Sequence, residues 1–132
     1  MKTELAARVI LDARKISDLL WSLEQPSDQY TLNDLKAALD GCEKVYAILN
    51  YTRHIWLAAD YSYKAREIAK YSWRLLDRIV DSSGTANAGR LRGKTHSRYR
   101  TVRESLRVLE WQFHEDECER LGLGRNAALT AN

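Results

Sequence analysis

Residues 90–107 hold Arg90, Arg92, Lys94, Arg98, Arg100, Arg103 and Arg107, opposed only by Glu104. All but one of these cations are arginines, whose planar fork suits phosphate or carboxylate. The block sits in and after a glycine-bearing stretch, so it could follow a phosphate backbone without reading bases. Tyr99 lies within it and is a candidate for stacking on an unpaired base. A solvated, salt-bridged helix face would give the same composition. So would a docking site for an acidic protein surface. Downstream, Glu110, Glu115, Asp116, Glu117 and Glu119 form an acidic stretch able to neutralise the block.

Other spacings invite chemistry and fall short of it. Gly89 to Thr95 ends in the Gly-Lys-Thr of a phosphate-binding loop, but three residues separate its glycines where four are needed. A loop of that kind also follows a buried strand, and here the preceding pattern is helical. His114 and Cys118 stand four apart, a spacing that can place two metal ligands on one helix face. No third or fourth ligand is indicated. No serine, cysteine or histidine signature accompanies the three histidines, and His54 reads as a helix-packing residue. The sequence therefore predicts no catalytic residue, no metal and no cofactor.

Aromatic residues crowd the middle of the chain. Tyr46, Tyr51, Trp56, Tyr61, Tyr63, Tyr71 and Trp73 do not fit one helical face. Tyr61 belongs with the apolar stripe. Tyr51, Trp56, Tyr63 and Trp73 are predicted on a second face, as a protein interface or a stacking platform.

The elements that must carry these residues are helices. Leu5, Val9, Ile10, Ile16, Leu19, Leu20 and Leu23 recur at helical steps, with Thr3 as N-cap, and Pro26 ends the run. Thr31 and Asp34 form a capping box with Asp in the Glu position. From there Leu32, Leu35, Leu39, Cys42, Val45 or Tyr46, and Leu49 make one stripe. Leu57, Tyr61, Ala65, Ile68, Ser72, Leu75 and Ile79 make a second. The stripes are out of phase around Asn50–His54, so residues 31–81 form one kinked helix or two. Residues 82–97 read as a long basic loop. A last helix begins near Arg98 and places Tyr99, Val102, Leu106, Leu109 and Phe113 on one side. Gly122 and Gly124 end it, leaving 122–132 as a flexible tail.

The expected fold is all-α, with three to four helices: a long central helix or helix pair and a C-terminal helical hairpin. Residues 1–121 make one domain. With 132 residues, 45% apolar content and a net charge of +3, the chain is not a disordered one. Two cysteines do not make a disulfide scaffold, and no apolar run is long enough to span a bilayer. A cytoplasmic, reduced protein follows as the expectation.

One resemblance adds to this. Ala58-Ala59-Asp60-Tyr61, Lys64-Ala65 and Ile68-Ala69 lead to Gly84-Thr85, then to Val102-Arg103 and Leu106-Arg107-Val108-Leu109-Glu110. Over about residues 45–121 this order resembles small helical bacteriophage proteins, some of them similar to phage recombination mediators. The resemblance implies a ring-like homo-oligomer that binds single-stranded DNA through basic residues. It also implies contacts with a RecA-like recombinase and a single-strand-binding protein. The leading expectation is a non-enzymatic, homo-oligomeric binder of nucleic acid, single-stranded DNA favoured. The alternative is a phage-type module that docks on and regulates a host or defence complex.

Overall fold

The computed structural model describes residues 2–23, 30–82 and 93–123. Within them the protein is all-α. Five helices follow in order: α1 (Lys2–Leu23), α2 (Leu32–Tyr51), α3 (Arg53–Ala58), α4 (Ser62–Ser82) and α5 (Gly93–Arg120). The count exceeds the expected three to four because the central stretch divides twice.

The first division is a kink at Thr52. Its hydroxyl donates to the Ile48 carbonyl at 2.6 Å and accepts from Trp56 Nε1 at 2.9 Å. Such back-bonding bends the chain here. The α-helical ladder is interrupted at this residue: Thr52 N–H closes α2 on Ile48, and the Thr52 carbonyl opens α3 by accepting from Ile55 and Trp56. This is where the sequence stripes lose phase.

The second division, at residues 59–61, is a true turn. Tyr61 N–H reaches the Trp56 carbonyl at 2.9 Å and Asp60 N–H reaches Leu57 at 3.1 Å. That pair of bonds is a Schellman closure, and it puts Asp60 at φ +61°. A glycine normally marks this position; an aspartate gives no such signal in the sequence. The same closure ends α5, where Leu123 N–H meets Cys118 and Gly122 N–H meets Glu119. There the glycine, at φ +73°, was a readable terminator.

Two other starts differ in their legibility. Asp34 N–H donates to Thr31 Oγ1 and Thr31 N–H to Asp34 Oδ2, which completes the expected capping box of α2. Helix α5 begins at Gly93, earlier than expected, so 93–97 are helical and not loop. Ser82, expected as the first residue of the basic loop, is the last of α4; residues 83–92 lie outside the described residues, as does all of the expected tail except Gly122 and Leu123. Helix α1 begins at Lys2, so Thr3 is within it.

The core follows the stripes. Leu35, Leu39, Cys42, Val45 and Leu49 of α2 are fully buried, as are Ala65, Ala69, Leu76 and Ile79 of α4. Helix α5 contributes Val102, Leu106, Leu109 and Phe113 at steps of four, three and four residues. Helix α1 adds Val9, Ala13, Ile16 and Leu20, while Ile10, expected inside, is 40% exposed. Cys42 Sγ donates to the Ser72 carbonyl at 3.6 Å, which ties α2 to α4. The Gly41 backbone admits α1 closely: a Cβ there would stand 2.6 Å from Leu23 Cδ1.

Among the described residues no helix is long and apolar enough to cross a membrane.

Candidate nucleic-acid interface

Helices α4 and α5 lie antiparallel. On α4, Arg66, Lys70, Trp73 and Asp77 recur at helical steps on the side that meets α5. Their partners run in reverse order along α5. Asp77 accepts from Tyr99 Oη and from Arg103 Nε, both at 2.6 Å. Trp73 Nε1 donates to Glu110 at 2.7 Å. Arg66 Nη1 meets His114 Nδ1 at 3.1 Å. A guanidinium can only donate, so His114 Nδ1 is the acceptor in this contact. Nε2 in turn lies 3.7 Å from Cys118 Sγ.

Trp73 is the centre of this seam. Arg103 lies 5.1 Å from its ring centroid, and Arg74 and Arg107 lie 5.6 Å from it. Cations over an indole face are attracted by its quadrupole. Beside the ring opens a groove of about 780 Å³, lined by Arg66, Lys70 and Trp73 from α4 and by Arg107, Trp111 and His114 from α5, among others. Trp111 is 59% exposed and its ring tilts toward His114, centroids 5.7 Å apart. Glu67, Glu104 and Glu110 also line the groove, so its formal charges balance. Glu110 is committed to Trp73, and Glu104 sits 3.9 Å from Arg107.

The basic block is thus only partly available. Arg90 and Arg92 lie outside the described residues. Arg98 pairs with both Asp40 and Glu43 and pins the start of α5 to α2. Arg103 is held by Asp77, and that hydrogen bond raises its pKa further. Tyr99, expected as a stacking residue, is half-buried between α4 and α5. Burial first, and then the bond to Asp77, push its phenol pKa well up. Among the described residues, Lys94 and Arg100 are exposed without an ion pair, and Arg107 is exposed with Glu104 at 3.9 Å and the Trp73 ring centroid at 5.6 Å. So of the expected nucleic-acid contacts, Arg98 is tied at the surface to Asp40 and Glu43, while Tyr99 and Arg103 are held by Asp77 as braces.

The expected aromatic face also divides. Trp56 is fully buried, and its indole N–H is spent on Thr52, so it is core and not interface. The kink at Thr52 turns it inward. Trp73 is half-buried in the α4–α5 seam. Tyr51 is 82% exposed, and Tyr63 is exposed and stacked on Tyr61 with centroids 5.9 Å apart. Arg66, Lys70 and Trp111 were not singled out in the sequence. The available signal was the helical spacing of Arg66, Lys70 and Trp73, and of Arg107 and Trp111.

The His114–Cys118 pair gathers no further ligand: among the described residues no group of three His, Cys, Asp or Glu could hold a metal. Cys42 is closed off, its thiol pushed up to about 12 by burial and then by Glu43. No protein family, curated protein or solved structure matches the chain.

Proposed function

We propose that the protein is a non-enzymatic, homo-oligomeric binder of single-stranded nucleic acid, with the α4–α5 groove as its site. The observation that supports this is Trp111, 59% exposed beside Lys70 and Arg107 in one groove. An aromatic face next to cations suits an unpaired base and its phosphate. Lys70 has no ion pair among the described residues, and Arg107 has only a long contact to Glu104. Arg100, two turns before Arg107, extends the cationic row toward the start of α5. Arg90 and Arg92 precede it in sequence. Arg98, Tyr99 and Arg103 act as positioning residues that fix α5 on α2 and α4. Recombinase loading is the specific role that the resemblance of residues 45–121 to phage recombination mediators implies.

Fluorescence anisotropy with a labelled oligo(dT) strand tests the reading. Binding is expected at low salt, with steep weakening as salt rises, because each neutralised phosphate releases counterions. No binding at low salt ends the proposal.

The balanced charge of the groove favours a second reading, a protein-binding module of the kind that docks on a host or defence complex. Mixed charges around an exposed tryptophan suit a protein surface. A pull-down from nuclease-treated lysate separates the two: a retained partner with no oligonucleotide binding supports this one.

A further inference from the structure

Helix α1 has a second seam. Its inner face, Val9, Ala13, Ile16 and Leu20, is buried in the core. On the opposite side Leu11, Arg14, Asp18 and Trp21 recur at steps of three, four and three residues, all exposed. Leu11 is 53% exposed and Trp21 is 76% exposed. This is the spacing of the apolar seam of a coiled coil. Arg14 and Asp18 are four apart on one helix, yet neither has an ion pair among the described residues.

We infer that this ridge is the contact between two copies of the chain, paired antiparallel through α1. The ridge is complementary to itself in one arrangement. With a two-fold axis at the level of Ile16, Leu11 faces Trp21 of the partner subunit, and Arg14 faces Asp18 of the partner subunit. Each pairing occurs twice, as an isologous interface requires. It is also the a-to-d layering of an antiparallel coiled coil.

The charges select this arrangement over others. Parallel pairing would set Arg14 against Arg14 and Asp18 against Asp18. An antiparallel slip of one heptad would set Leu11 against Arg14, or Asp18 against Trp21. Only the in-register antiparallel pair matches apolar with apolar and plus with minus. From Leu11 to Trp21 the seam runs about 15 Å at about 1.5 Å per residue. Beside Trp21 a cleft of about 460 Å³ opens between α1 and α4, lined by Leu20, Ile68 and Tyr71. Leu11 of the partner subunit arrives at its mouth. The two tryptophans supply burial, and the two ion pairs fix direction and register.

The test is solution mass by sedimentation velocity, without nucleic acid and over a dilution series from high micromolar. Its outcome is therefore separate from that of the groove. The full chain is expected at twice 15.2 kDa. R14D places like charges in the central layers and should raise the dimer dissociation constant at least about tenfold. D18R should do the same. Mixing the two singly substituted chains should give a heterodimer, and R14D/D18R in one chain should restore the homodimer. Circular dichroism confirms folding in each case. A full chain that stays monomeric throughout overturns the inference. So does a dimer indifferent to R14D, or one that the double exchange fails to rescue.

Discussion

Tyr99 on α5 gives its phenolic proton to Asp77 on α4 at 2.6 Å, and the same carboxylate oxygen accepts from Arg103. One acid therefore anchors two residues that the sequence offered as ligands for nucleic acid. Asp77→Asn keeps the shape and removes the charge. A loss of about 2 kcal/mol is expected, the range for a hydrogen bond to a charged group. A lower urea midpoint at unchanged m-value would show it.

The same contact makes stability depend on alkaline pH. The Tyr99 pKa is raised in the folded state by burial first and Asp77 second. The folded protein thus holds this proton more tightly than the unfolded chain. The contribution is complete below the ordinary tyrosine pKa of about 10 and is lost as pH rises above it. Urea midpoints above that pH should fall more steeply for the full chain than for Tyr99→Phe. Parallel curves would show that the phenol does not titrate with unfolding.

Cys42 and Cys118 should part company toward a thiol reagent. Cys42 is buried, bonded to Ser72, and its thiol is pushed up to about 12. Cys118 is half-exposed. In the native protein near neutral pH Cys42 is expected to stay unreacted, and denaturant should release it. Mass spectrometry of the labelled peptides assigns the reacted residue.

Asp60 holds a left-handed backbone, φ +61°, that costs an L-residue roughly 1–2 kcal/mol. Asp60→Gly removes that cost. It also loosens the unfolded chain, which offsets part of the gain. A net stabilisation of about 0.5–1 kcal/mol is expected. A thermal midpoint that falls would assign the residue's own polar contacts the larger share.

In the groove, Trp111→Ala should weaken oligo(dT) binding by about 1–3 kcal/mol, the worth of one stacked base. Lys70→Ala should weaken it less and reduce the salt slope by about one phosphate's worth. Trp111 is exposed and Lys70 partly so, so the free energy of unfolding should move by no more than about 0.5 kcal/mol. Equal loss of stability and binding would reassign Trp111 to packing.

How far the sequence revealed this depends on which physics spoke. Apolar periodicity located α1, α2, α4, most of α5 and most of the core, because burial imposes the same spacing wherever a helix lies on a core; it did not separate the six-residue α3. The box at Thr31 was readable because its side chains perform the capping, and the terminator at Gly122 because a residue without a Cβ takes the positive φ at no steric cost. Asp60 was not, since its turn is set by backbone bonds that any residue can make. The site was harder. A run of arginines shows where charge is, not which acids will reach it, and Asp40, Glu43 and Asp77 come from distant stretches of chain. Trp56 shows the same limit: its inward turn depends on one hydroxyl, that of Thr52. Trp21, Leu11 and Trp111 are apolar residues on outward faces, which a search for core stripes passes over.

Helix α5 is fastened to its neighbours at both ends. Arg98 grips Asp40 and Glu43 near its start, and Arg53 holds Asp116 in a two-pronged pair near its end, both bonds 2.8 Å. Between these clamps run the buried stripe and the Trp73 seam. Contacts along its sides therefore position the helix at both ends. A protein arranged in this way is divisible. Two fragments produced separately, broken between Ser82 and Gly93, should find each other and rebuild the bundle. The break would make this chain a split reporter whose reassembly weakens as salt loosens its two guanidinium clamps.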